Sequence, residues 1–297
     1  METGVSNISS VALSTERSAN IFLVQNNFSQ QTAGHCLLQL QVSDDSLTVS
    51  ILDKSTAKLI GFAAFVFDKL KSSVLLQIKS IFKTNDLFKL DFAQVVFVIR
   101  NRHFTFIPSP FFEIGNADSY LKASSYYNQN LKTSHKIIES VKAINVFQYD
   151  PEIIDYLHHY YSKGTVTHHH NVLIEGFSLL TRFNISNQVF VNLTDTFFDV
   201  VVFIKSKFVF ANSFYFKTSE DVVYYLLFSL EQLGLNAKSS KVSLLGNKVD
   251  EQLNDKIAEY FNAVERLPLT SFVGRDEALQ ALKSNEYFTT ENAFLCV

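Results

Sequence analysis

The sequence predicts an α/β protein of two similar, strand-rich halves, and three observations carry that prediction. Short runs of alternating apolar and polar residues, the mark of strands, are separated by polar turn tripeptides. Between them lie stretches with apolar residues three and four apart, the mark of helices. The order strand–strand–strand–helix–strand then occurs twice along the chain, over stretches of similar length.

Residues 1–33 read as a polar lead-in, with one apolar patch at Ile21–Val24 suited to an edge strand or a surface position. In the first half Cys36–Val42, Leu47–Leu52 and Lys58–Phe67 are strands, joined by Ser43-Asp44-Asp45-Ser46 and Asp53-Lys54-Ser55. Residues 69–82 take helical spacing through Leu70, Val74, Leu75, Ile78 and Phe82, and Gln94–Ile99 is a buried strand. In the second half Gln188–Leu193, Phe198–Ile204 and Phe208–Phe216 are the strands. Thr218-Ser219-Glu220-Asp221 opens a helix that Gly234 stops, and Val242–Leu245 closes the unit. Between the halves His103–Ile107 suits a strand, Asp118–Tyr127 a short helix, and Ile137–Phe147 a strand pair. A helix from Pro151 to about Tyr161 and a longer one over His169–Phe183 follow, with further helices at 251–263 and 276–284. The expected domains are residues 34–184, carrying an inserted segment, and residues 185–297.

Composition narrows the classes. Of 297 residues 47% are apolar and 19% charged, enough for sizeable cores and unlike a disordered chain. The 29 Phe fall mainly at alternate strand positions, where they serve as core rings. A formal charge of −3 disfavours a nucleic-acid partner. Lys69, Lys71, Lys79, Lys83 and Lys89, with Arg100 and Arg102, concentrate positive charge, but on the polar faces of an amphipathic helix, which makes a solvated face the expectation. Cys36 and Cys296 form no metal spacing or disulfide framework. The N-terminal residues lack a signal-peptide pattern, and no apolar run reaches the ~20 residues of a membrane helix. A cytoplasmic chain without membrane insertion is expected.

Three antiparallel strands, a helix and a parallel strand make the order of the ribonuclease H-like unit. Two such units in one chain is the plan of the actin-like ATPase superfamily, which includes sugar kinases, chaperones and actin-like proteins of cell division and type IV pilus assembly. The chain resembles that superfamily over roughly Cys36 to Phe261, in "CLLQLQVSDDSLTVSILD", "QVFVNLTDTFFDVVVFIKSKFVFANSFYF" and "KVSLLGN". More narrowly it is similar to a bacterial family of unknown function with this duplicated fold, where "KAINVFQYD" and "HHHNVLIEGF" also match. The resemblance implies two ribonuclease H-like domains, each a mixed sheet of three antiparallel strands plus parallel strands flanked by helices. It also implies a nucleotide cleft, with phosphates held by the first turn of each half.

On this chain that cleft falls to Asp44, Asp45, Asp195 and Gly246. The family's turns carry Asp-x-Gly, because glycine lets backbone N–H groups approach phosphate closely. Here Ser43-Asp44-Asp45-Ser46 and Thr194-Asp195-Thr196 hold no glycine, and the adenine-side pair of glycines is reduced to Gly246. Asp44, Asp45 and Asp195 could otherwise hold metal ions of a nuclease, though Asp in tight turns is favoured for its own backbone bonding. Gly246 more simply supplies a positive φ between strand and helix. His168, His169 and His170, with His158, His159, Glu175 or Asp155, could form a zinc site; an N-terminal helix cap and packing contact by His168 or His169 is the favoured alternative. The sequence therefore points to a non-catalytic actin-like protein with a degenerate nucleotide site, no cofactor and a protein partner. A divergent actin-like ATPase or kinase, or a metal-dependent nuclease, is the alternative.

Overall fold

Alternation and turn chemistry produce two mixed sheets of matching strand order. A computed structural model describes residues 21–24, 28–68, 70, 72–124, 127–268, 272–282 and 285–297. Most of the polar lead-in, Lys69 and Lys71 lie outside the described residues. The chain opens with β1 (Ile21–Val24), α1 (Gln30–Ala33), β2 (Cys36–Val42), β3 (Ser46–Asp53), β4 (Lys58–Val66), α2 (Val74–Thr84) and β5 (Gln94–Ile99). Next come β6 (Phe104–Pro108), α3 (Ala117–Ala123), β7 (Lys132–Ile138), β8 (Ala143–Tyr149), α4 (Pro151–Tyr160), β9 (Thr165–His168) and α5 (His169–Thr181). The remainder is β10 (Asn187–Leu193), β11 (Phe197–Ile204), β12 (Lys207–Tyr215), α6 (Ser219–Gln232), β13 (Ser240–Gly246), α7 (Glu251–Ala258), β14 (Ala263–Arg266), β15 (Gly274–Arg275) and α8 (Phe288–Glu291).

One sheet runs β1-β4-β3-β2-β5-β9, with β15 added to β4, and the other runs β12-β11-β10-β13-β14. The third, second and first strands of each half therefore lie in the same order beside the strand that follows the helix, which is the expected duplication. Ile21–Val24 takes the edge position, antiparallel to β4.

The chain divides into two compact units that are discontinuous in sequence. The first holds residues up to Val98 with 152–166 and 272–282. Its strand β2 is buried at all seven positions, so both faces are covered. Phe82 of α2 stacks on Phe88 with ring centroids 4.1 Å apart, and the Tyr161 hydroxyl donates to the Phe88 carbonyl at 3.0 Å. The helix expected from residue 69 starts later: the Ser73 hydroxyl caps the Leu76 N–H, and Leu70 stands 97% exposed ahead of it. A capped start outweighs one more apolar residue in register. The helix expected at 276–284 is a single 3₁₀ turn, Glu277–Leu279.

The second unit holds residues 99–151, 167–271 and 283–297. A three-stranded sheet, β6-β8-β7, packs Ile144 and Val146 against Leu121 of α3. In the five-stranded sheet, Val189, Val191 and Leu193 of β10 and Phe198, Val200 and Val202 of β11 share one face. That face is buried under Val222, Leu226 and Leu230 of α6 and Leu253 and Ile257 of α7. Each such side chain contributes roughly 1.5–3 kcal/mol. Thr218 and Asp221 close a capping box at the start of α6, as the sequence predicts. The alternate residues of the same strands, among them Phe190 and Phe203, face the other way, where Phe190 stacks on Phe177 of α5 at 4.0 Å. That second face carries the polar residues described next.

Candidate functional site

The turn between β2 and β3 belongs to the first unit. Asp45 is held inside it: the hydroxyls of Ser43 and Ser46 donate to Asp45 Oδ1 at 2.6 and 3.0 Å. The Phe67 N–H donates to the Asp45 carbonyl at 2.8 Å, and Asp44 is exposed. Asp45 does the work of a turn residue, satisfying local donors.

In the second unit the structure brings Asp195 and Gly246 together. Asn247 donates to Asp195 Oδ2 at 2.8 Å and Lys248 pairs with Oδ1 at 2.5 Å. Gly246 has φ +102°, and the Gly246 N–H donates to the Asn285 carbonyl at 3.0 Å. A Cβ there would lie 1.9 Å from the Leu193 carbonyl oxygen, since Leu193 and Gly246 are paired across β10 and β13. Thr194 donates to the Phe197 carbonyl at 2.7 Å and accepts from Arg100 Nη2 at 2.5 Å. The Arg100 guanidinium, in a residue only 6% exposed, lies over the Phe197 ring at 4.4 Å. Beside this turn is a cleft of about 360 Å³ lined by Leu193, Phe216, Lys217, Lys248 and Lys256. Two of those lysines are paired with acids, Lys248 with Asp195 and Lys256 with Glu220.

Arg102, counted with the basic group in sequence, instead donates to the Ser213 carbonyl at 3.0 Å and stacks on Tyr215 at 4.0 Å. Lys79, Lys83 and Lys89 are exposed, and Lys89 pairs with Asp86 at 2.7 Å.

The densest polar site was not among the sequence candidates as a whole. Strand register sets Asn192, Asp199 and Ser213 in one rung across β10, β11 and β12. The first turn of α5 lays His169 and His170 over that rung, and every one of these side chains is buried. Asp199 Oδ1 accepts from the Ser213 hydroxyl at 2.6 Å and from His169 Nε2 at 3.1 Å, while Oδ2 accepts from Asn192 at 3.0 Å. With the Ser213 proton given to Asp199, His170 Nε2 donates to Ser213 Oγ at 3.0 Å and lies 3.3 Å from Asp199 Oδ1. His168 is the N-cap, as the sequence predicts: its Nδ1 accepts from the His170 N–H at 3.4 Å, with Asn145 Nδ2 at 3.2 Å. His168 Nε2 then carries the proton and donates to the Asn101 carbonyl at 3.2 Å.

Burial lowers His169 to about 4, against the pull of Asp199, and pushes His168 well below its ordinary value, so both imidazoles are neutral near pH 7. Burial alone would raise Asp199; the facing imidazoles and the hydrogen bonds they donate outweigh it and hold the carboxyl well below its usual range.

Two chemistries are suggested by this donor set, and the geometry fits neither. His169, His170 and Asp199 present ligand atoms within 4.8 Å of one another. Yet Asp199 Oδ1 already accepts from His169 Nε2 and lies close to His170 Nε2. In addition, neither Nδ1 has a hydrogen-bond partner among the described residues, whereas metal-bound histidine normally donates that N–H to a supporting group. His158, a sequence candidate for the same metal, bonds instead to the Gly164 carbonyl in the first unit. A Ser213–His170–Asp199 relay fails because carboxylate and hydroxyl meet the same imidazole nitrogen, leaving Nδ1 unsupported.

Residues 25–264 match the family described as "Protein of unknown function (DUF3822)". The chain belongs to this family. Among solved structures, it is similar to a Bacteroides thetaiotaomicron protein with an actin-like ATPase fold and unknown function. The two share 22% identity over 80% of this chain and 92% of that one, with a TM-score of 0.76. It is also similar to a chain of the PilM–PilN type IV pilus biogenesis complex, at 12% identity over 88% of this chain and 98% of that one, TM-score 0.61. No functionally curated protein matches. These likenesses give the DUF3822 chain an actin-like fold, in accord with the matching strand orders of its two sheets.

Proposed function

We propose that this protein is a non-catalytic actin-like module that binds or scaffolds a protein partner, having kept the fold without the phosphate chemistry. The observation that carries this reading is the state of the turn between β10 and β11. Its acid is taken by Asn247 and Lys248, its threonine is tied to Arg100, and no glycine amide is available to approach a phosphate. A phosphate would have to displace those contacts and meet the Asp195 carboxylate, which repels it. The turn of the first unit supports the same view, with Asp45 bonded to its own serines. A chain of similar fold forms part of the PilM–PilN complex, which favours a protein over a small-molecule partner.

No helix among the described residues is long and apolar enough to cross a membrane. In this reading the protein works in the bacterial cytoplasm, where the buried thiols of Cys36 and Cys296 stay reduced. Thermal unfolding with and without millimolar ATP and Mg²⁺ tests the proposal. A nucleotide at a hundred times its dissociation constant adds about 2.7 kcal/mol, a shift of roughly 5–10 °C. An unchanged midpoint is expected; a shift of that size overturns the reading and puts a divergent ATPase in its place.

A further inference from the structure

The hydrogen bonds that the polar rung under α5 does make are compatible with one protonation state only. His169 spends its single proton on Asp199, and its Nδ1 has no hydrogen-bond partner among the described residues. A second proton would put an N–H donor where no acceptor waits. His170 Nδ1 is in the same position. At His168 the conflict is sharper, because Nδ1 already faces two donors, the His170 N–H and Asn145 Nδ2. Protonating it removes the acceptor that caps α5.

Charge adds to the conflict. Among the described residues, the charged and titratable groups that act most strongly on His168, His169 and Asp199 are the three imidazoles from α5 and its cap, Asp199 from β11, and Arg100 beyond β5. Asn192, Ser213, Asn145 and Asn171 complete the shell and are neutral. In acid, Asp199 therefore stands against Arg100 and the imidazolium ions of His168 and His169. The apolar core beneath α6 and α7 lies on the opposite face of the same sheet and contains none of these groups.

We propose that the start of α5 is a proton-operated latch: proton uptake by His168 and His169 releases the first turn of α5 from β11 and β12 while the core under α6 and α7 stays folded. Acid opens it and neutral pH closes it. The effector is the proton itself, and the segment uncovered is the polar face of β10, β11 and β12.

Amide hydrogen exchange on the full chain, at pH 7 and pH 5 with intrinsic rates corrected for pH, tests this. With His169 titrating at about 4 when closed and 6.5 when released, its contribution alone raises opening about 20-fold from pH 7 to pH 5. Amides of 170–173 should show at least that rise, while those of β10 and α6 keep their protection. His169→Gln retains an N–H donor for Asp199 without titrating, and should lower the rise by about the same factor. Opening at 170–173 that is unchanged from pH 7 to 5 overturns the latch. So does a parallel loss of protection through α6 and β10, which would mean acid unfolding of the whole unit. Both results are read on the wild-type chain, so the test survives a variant that fails to fold.

Discussion

Replacing Gly246 with alanine puts a backbone requirement and a steric one on the same atom. Gly246 has φ +102°, where an L-residue is strained by about 1–3 kcal/mol. The added Cβ would also sit 1.9 Å from the Leu193 carbonyl oxygen, a backbone atom that cannot swing aside. Relief requires parting β10 from β13 at the Leu193–Gly246 pair and disturbs the Gly246 N–H to Asn285 bond, and a buried group left unpaired costs about 1–3 kcal/mol. Together these give a loss of about 2–6 kcal/mol, a large part of the 5–15 kcal/mol typical of a domain. Gly234→Ala is the internal control. It also has positive φ, +65°, but nothing lies within 4 Å of its Cβ position, so only the strain of about 1 kcal/mol applies. Urea denaturation of wild type and both variants separates the two contributions. Equal losses for Gly234→Ala and Gly246→Ala, or a Gly246→Ala midpoint at the wild-type value, would refute the reasoning. In that event the close approach would be soft, and Gly246 would have to be explained by a ligand.

Arg100→Ala should lower stability by about 1.5–3 kcal/mol, because Thr194 loses a charge-assisted bond and the Phe197 ring its cover; Arg100→Lys should recover little, since an ammonium cannot lie flat on the ring. Urea midpoints of the two variants check this. Thr218→Ala removes the capping box of α6 and should cost about 1 kcal/mol, visible as a lower midpoint at unchanged slope. Stability should also fall with acid. His169 is depressed in the folded chain, so the unfolded chain binds the proton first; its contribution is full above pH 6.5 and lost as pH drops toward 4, about 2 kcal/mol of it by pH 5. Asp199, also depressed, acts with the same sign below the ordinary carboxylate value of 3.8. Urea titrations of wild type and His169→Gln at pH 7 and pH 5 check this, the variant losing less.

What the sequence made legible were the features set by neighbours in the chain. The apolar runs Gln188–Leu193 and Phe198–Ile204, bounded by polar turns, were legible as strands, and Thr218 with Asp221 as the start of α6. Gly246 was readable as a positive-φ junction, and His168 as a cap. The rung was not legible, because Asn192, Asp199 and Ser213 meet only through strand register. One signal did point to it: Asp199 interrupts "FFDVVVFI", and an acid is almost never fully buried in a strand unless it is partnered. Arg100 and Arg102 were grouped with nearby lysines, whereas their partners Thr194 and Ser213 stand 94 and 111 positions away. Spacing carries no trace of such contacts.

The two kinds of polar site in this protein differ in what they leave open. At the turns, Asp45 and Asp195 take donors from their own or adjoining segments, so each turn keeps its shape without a ligand. A ligand that does not change the stability of a state cannot shift its population. On the proposed reading, then, nucleotide cannot be what drives a conformational change in this chain. The rung under α5 is the opposite case. It is fully enclosed, yet Nδ1 of His169 and Nδ1 of His170 have no hydrogen-bond partner among the described residues, so its energy depends on the protonation state. If this actin-like fold retains a switch, the physical chemistry puts it where a bound species changes the balance, and in this chain that species is a proton at α5.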